Sequence, residues 1–173
     1  MTTCVWFTCE RDYHKLAQSV ARVRQLDPSA HCVAIIDEHD TPPEGIEHRR
    51  RTFDRGVHLN TAGSVFGVAA VLYEFDGDMV VKLDSDMIVE RAFWLEGPTL
   101  FQRANGFYVG AYAIPPRVLG GVWRSIANTP NTGPHEAIAI CFRAAAIMHG
   151  FEIPFRHEHL QAGRLLPEDF TCI

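Results

Sequence analysis

Nowhere does the sequence hold the ~18 consecutive apolar residues that a membrane-crossing helix requires. Its opening, Met1-Thr2-Thr3-Cys4-Val5-Trp6-Phe7, has neither a charged leader nor an apolar stretch of signal length, which predicts a cytoplasmic protein. Cysteine is sparse. Cys4, Cys9, Cys32, Cys141 and Cys172 form an odd, scattered set without a CxxC pair, so neither a disulfide framework nor a thiolate zinc site is indicated and buried free thiols are expected. Positive charge is also short: 16 Lys and Arg stand against 21 Asp and Glu, a net charge of −5. The chain therefore lacks the basic field that neutralises a phosphate backbone, and nucleic acid is not an expected partner. No linker, internal repeat or low-complexity tract interrupts the chain.

Apolar material is plentiful, at 47% of the 173 residues. At roughly 150 residues per domain this length predicts one domain, residues 1–173, able to bury about 70% of its unfolded surface without metals or disulfides.

Hydrophobic periodicity predicts alternating strands and helices. Cys4 to Thr8 is a short β-rich run; Asp12 follows as a cap, and Leu16, Val20 and Val23 then recur at helical spacing until Asp27-Pro28. His31 to Ile36 is a second strand closing on Asp37, and the Asp40-to-Gly45 cluster carries turn chemistry. Arg49 to Phe53 suits an edge strand, where its charges remain solvated. Asn60 caps a helix with Ala62, Val65, Phe66, Ala69, Leu72 and Tyr73 on one side, ending near Asp76-Gly77.

Met79 to Leu83 is nearly all apolar, as expected of a strand buried on both faces, and it delivers Asp84-Ser85-Asp86 at its carboxyl end. Phe107 to Ala113 is another strand, Arg117 to Ala127 a helix, His135 to Met148 a final helix stopped by Gly150, and Phe151 to Phe155 a last strand; Arg156 to Ile173 reads as irregular. This alternation predicts a three-layer α/β/α domain around a mostly parallel, mixed sheet. In such folds ligands sit outside the carboxyl ends of the strands, which selects Thr8, Glu10, Asp37 and Asp84 to Asp86.

Two aspartates one residue apart at a strand end can direct oxygen ligands to one hard divalent cation, which also grips phosphate oxygens. Asp86 is the expected direct ligand to Mn²⁺ or Mg²⁺, with Asp84 its partner through water or ribose. The bland alternative is a solvated strand-to-loop turn, which favours Asp and Ser for their own hydrogen bonding. The apolar run leading into the pair argues against it. A haloacid-dehalogenase-like phosphatase also places Asp-x-Asp after a buried strand, but on the first strand and with Thr or Val two residues beyond the second Asp. Here the triplet lies far from the first strand and Ile88 occupies that place.

With a strand, an Asp37-ended strand, a helix and then "GDMVVKLDSDMIV" in order, the chain resembles the nucleotide-binding part of a GT-A glycosyltransferase. The resemblance covers roughly Cys4 to His159 and is specific at Asp84-Ser85-Asp86. It implies a nucleotide-diphosphate sugar donor, a divalent metal and an acceptor lying over the donor sugar. It also implies that Thr8, Glu10 and Asp37 hold base and ribose, with Arg55 and Asn60 assisting, although an N-cap role explains Asn60 fully. Ser85 belongs to the same donor-binding segment. Lys82 shares strand parity with Asp84 and either pairs with the carboxylates or reaches the donor.

Gly133-Pro134-His135-Glu136 resembles the acid-bearing helix start that supplies the base in many inverting members, which would make Glu136 the catalytic base. The family often has two acids there; here His135 takes the first place, and an acid in a first helical turn is favoured by the macrodipole in any case. A histidine after the last core strand is the usual third metal ligand. His157 and His159 stand there, and "HLQAG" resembles the His-x-x-Gly of glycogenin-like enzymes with one extra residue, which favours His159 and lets Gly163 and Arg164 approach the diphosphate. The chain is short for the family. Either the acceptor is small, or a partner or a second copy of the chain completes its site, and a domain that only binds a nucleotide sugar is the alternative to a transferase.

Overall fold

The computed structural model describes residues 1–51, 68, 71–103, 106–117, 158–161, 164–167 and 169–172. Ten strands are present among them. β1 (Thr2–Phe7), β2 (His31–Ile36), β3 (Glu47–Arg50), β4 (Met79–Asp84), β6 (Thr99–Arg103) and β7 (Gly106–Ile114) form one sheet in the order β3-β2-β1-β4-β7-β6. The first four run parallel, while β7 is antiparallel to both β4 and β6. The sheet is thus mixed and mostly parallel, as the alternation predicts.

Both faces are covered. Cys4, Trp6, Ala34, Ile36, Val81 and Leu83 belong to one buried cluster, and the alternate residues Val5, Val33, Ile35 and Val80 are equally buried. Full burial of such side chains is worth about 1.5–3 kcal/mol each. This explains the unbroken apolar runs of β1, β2 and β4. At the edge, β3 is mostly exposed and charged, in keeping with the edge strand expected there, although it begins at Glu47 and ends at Arg50.

Helix α1 (Tyr13–Leu26) buries Leu16, Ser19, Val20 and Val23, the stripe its spacing predicts. Ser19 is tolerated in that stripe because its Oγ accepts a 2.9 Å hydrogen bond from Trp6 Nε1. Asp12 takes the expected N-cap position but makes no capping hydrogen bond; its carboxylate accepts instead from Cys9 Sγ at 3.3 Å. At the other end, buried Asp27 accepts from Trp94 Nε1 at 2.9 Å and from the amide and hydroxyl of Ser29 at 3.1 and 2.7 Å. Burial raises the Asp27 pKa, but these donors outweigh it and hold the carboxyl below its usual range.

Gly77 sets the entry to β4. Its φ is +140°, and a Cβ there would lie 2.7 Å from the Met1 carbonyl oxygen, so only glycine lets the turn close against β1.

Residues after Asp86 depart from expectation. β5 (Met87–Val89) leaves the main sheet and pairs antiparallel with β10 (Phe170–Cys172), while β8 (Glu158–Gln161) pairs with β9 (Arg164–Pro167). The tail read as irregular therefore contains three strands; each is three or four residues long, too short for a period-2 signal. β10 is anchored by Phe170, whose ring stacks edge-on against Phe101 and Phe93 at 5.1 and 5.6 Å. Arg22 of α1 binds the carbonyls of Val89 and Glu90, each at 3.1 Å, holding β5 from the other side. The predicted strand at 107–113 is β7, extended at both ends. Of the helix expected after Asn60, residues 71–73 are described and helical. The helices expected at 117–127 and 135–148 lie almost wholly outside the described residues, and the strand at 151–155 wholly so.

Candidate functional site

Parallel register brings three strand ends to one edge: Phe7 is opposite Ile35 of β2 and Asp84 of β4. The chain winds outward from β1 to β2 and β3, then returns to place β4 on the other side of β1. Strand order therefore reverses between β1 and β4, where open α/β sheets form their ligand crevices. A cleft of about 830 Å³ opens there.

Its lining unites the residues selected from sequence. Thr8 and Glu10 come from the end of β1, Asp37 from the end of β2, and Asp84, Ser85 and Asp86 from the end of β4. Ser85 is buried and, with Asp86, forms the turn between β4 and β5, so Asp84 ends the strand and Asp86 lies in the turn that follows it. Lys82 lies one strand repeat before Asp84, and its ammonium pairs with the Asp84 carboxylate. Of the two roles open to Lys82, the carboxylate pairing is the one observed.

Asp37 is likewise engaged. Its carboxylate pairs with Arg51, whose side chain is only 10% exposed. Arg50 donates to the carbonyls of Asp37 at 2.9 Å, of Asp40 at 3.1 Å and of Glu38, fastening the loop after β2 to the edge strand. The Thr8 amide donates to Ile35 O at 3.0 Å, extending the β1–β2 ladder to the rim of the cleft.

Five further charged residues line the cleft without having been selected from sequence: Arg11, Asp12, Lys15, Asp40 and Arg51. The first three fall within seven residues of Thr8 and were legible as neighbours of a strand end. Asp40 and Arg51 needed the fold, because the strand pairing of β2 with β3 brings them back to the same edge. Cys9 also lines the cleft; burial, then its hydrogen bond to Asp12, raises the thiol pKa, so it stays protonated at neutral pH and offers no thiolate. Tyr112 of β7 is buried, which together with the nearby Asp84 charge raises its phenol well above the usual range.

The charged lining is acid-rich, with six carboxylates and three cations among the described residues. Two like charges about 4 Å apart repel by roughly 4 kcal/mol at an effective dielectric near 20, so a polyphosphate would enter poorly without added positive charge. The donor set suits a hard cation. Asp84 and Asp86 offer carboxylate oxygens, and Mg²⁺ or Mn²⁺ is commonly held by one or two carboxylates with its other positions given to phosphate and water. Among the described residues no group of three or more His, Cys, Asp or Glu side chains converges as a complete metal site. His159 lies in β8 opposite Leu166 of β9, and its side chain is not among those described. Arg55, Asn60, His135, Glu136, His157 and Gly163 lie outside the described residues.

No protein-family model matches the chain, and no curated protein matches it in sequence. Among solved structures it is similar to the glycosyltransferase GlyE of Streptococcus pneumoniae TIGR4, with a TM-score of 0.54 and 12% identity over 82% of this chain. The apo form of GlyE gives a TM-score of 0.54 and 13% identity over 83% of the chain. In both comparisons the match spans 43% of the GlyE chain, less than half its length. The shared feature is the fold, a mostly parallel mixed sheet.

Proposed function

We propose that the cleft binds a nucleotide-diphosphate sugar together with Mn²⁺ or Mg²⁺, and that the chain transfers the sugar to an acceptor. The observation that carries this reading is the pair Asp84 and Asp86, at the end of β4 and in the turn after it, where strand order reverses, sharing one cleft with Thr8, Glu10 and Asp37. The fold shared with GlyE supports it.

In this reading Asp86 holds the cation directly and Asp84 holds it through water or contacts the ribose, with His159 as the third ligand. The bound cation supplies stabilisation of the negative charge that builds on the departing diphosphate. Lys82 orients Asp84 from below through their ion pair. Asp37, fixed by Arg51, contacts the nucleoside together with Thr8 and Glu10, and Arg55 and Asn60 assist. Glu136 takes the acceptor proton as its oxygen attacks the anomeric carbon, if configuration is inverted.

Calorimetric titration with Mn²⁺ and a panel of nucleoside diphosphates tests the reading. Metal and nucleotide should each bind at least tenfold more tightly in the presence of the other. Wild type and Asp86→Ala binding the pair equally would sink it. Metal-dependent hydrolysis or transfer of the donor sugar distinguishes a transferase from a domain that only binds.

A further inference from the structure

We infer that Lys15 is a direct diphosphate contact of this cleft, a role that rests on the donor-binding reading above. Lys15 lies in the first turn of α1, half-buried, and lines the same cleft as Asp84 and Asp86. Three basic side chains line that cleft among the described residues, and two already face carboxylates. Arg51 pairs with Asp37, and Arg11 lies 3.5 Å from Asp12. Lys82, just beneath, pairs with Asp84. Among the described residues Lys15 has no ion pair and no hydrogen bond, although carboxylates outnumber cations two to one in the lining around it.

An ammonium left uncommitted in such an acid-rich cleft is available to an incoming anion. The cation at Asp84 and Asp86 neutralises only part of a diphosphate, which carries about three negative charges near neutral pH. A flexible lysine, with a compact charge and three rotatable donors, suits phosphate oxygens whose positions change as the leaving group departs. The role is distinct from that of the carboxylates: Lys15 binds the anion itself, and the aspartates bind it through the metal.

The test uses inorganic pyrophosphate as the probe, so that no nucleotide base need be known. Mn²⁺-pyrophosphate is titrated calorimetrically into wild type, Lys15→Met, Lys15→Arg and Asp86→Ala, each first checked for an unchanged melting temperature. Lys15→Met, which keeps the apolar stem, should weaken binding at least tenfold, whereas Lys15→Arg should stay within about threefold of wild type. If wild type binds and Lys15→Met binds equally well, the assignment of Lys15 is wrong while the donor site stands. If wild type fails to bind, or Asp86→Ala binds as tightly as wild type, the donor-site reading fails and takes this inference with it.

Discussion

The backbone amide of Glu10 donates to the carboxylate of Asp40 at 3.1 Å, joining the loop after β1 to the loop after β2 across the mouth of the cleft. Arg50 holds the same second loop by its carbonyls, so the side of the cleft proposed for the nucleoside is cross-linked by backbone groups that sequence identity alone does not reveal.

Asp40→Ala should therefore loosen the rim more than the fold. An exposed hydrogen bond of this kind contributes about 0.5–1.5 kcal/mol. Hydrogen exchange at the Glu10 amide should accelerate and nucleotide affinity should fall several-fold. Protection unchanged at Glu10 would show that Asp40 does not set the rim.

At saturating metal, Asp37→Ala should weaken nucleotide affinity about tenfold, because a charge-assisted hydrogen bond to ribose is worth roughly 1.5 kcal/mol or more. Affinity for Mn²⁺-pyrophosphate should not change, since the role proposed for Asp37 is toward the nucleoside. Equal loss of both ligands would mean that its pairing with Arg51 shapes the whole cleft.

Glu136→Gln should lower kcat by about a hundredfold with little change in nucleotide affinity, as a base acting only during acceptor attack should. His135→Ala should do much less. Turnover surviving Glu136→Gln within a few fold would point to retention of configuration, with the leaving phosphate taking the acceptor proton.

Asp27→Asn should cost about 1–3 kcal/mol, because one amide oxygen cannot replace two carboxylate oxygens that accept from Trp94 and Ser29. The folded pKa of Asp27 lies below its ordinary value of 3.8. The bonded carboxylate therefore stabilises the fold fully above that value, and the gain fades as pH falls below it toward the folded pKa. Denaturant melts of wild type and variant should differ most near neutrality and converge in acid. A gap independent of pH would assign the loss to packing.

The buried parallel strands were legible from sequence because burial on both faces leaves a nearly continuous apolar run. His31 to Ile36 and Met79 to Leu83 can be read as strands with no knowledge of their neighbours. Polar residues at the ends of those runs then selected Thr8, Glu10, Asp37 and the Asp84 to Asp86 turn, all of which meet in one cleft. The short strands β5, β8, β9 and β10 were not legible, since three or four residues carry no period, and β5 and β10 are in addition held by each other from distant parts of the chain, as Met87 is by Cys172.

Sequence by itself determined which residues end the central strands, because local hydrophobicity fixes where a strand is buried and where it meets water. Strand parity likewise made the pairing of Lys82 with Asp84 legible, whereas tertiary structure alone decided that Arg51 meets Asp37 and that Lys15 has no ion pair among the described residues. Pairing between residues of different strands and loops depends on distances that no local pattern in the chain encodes.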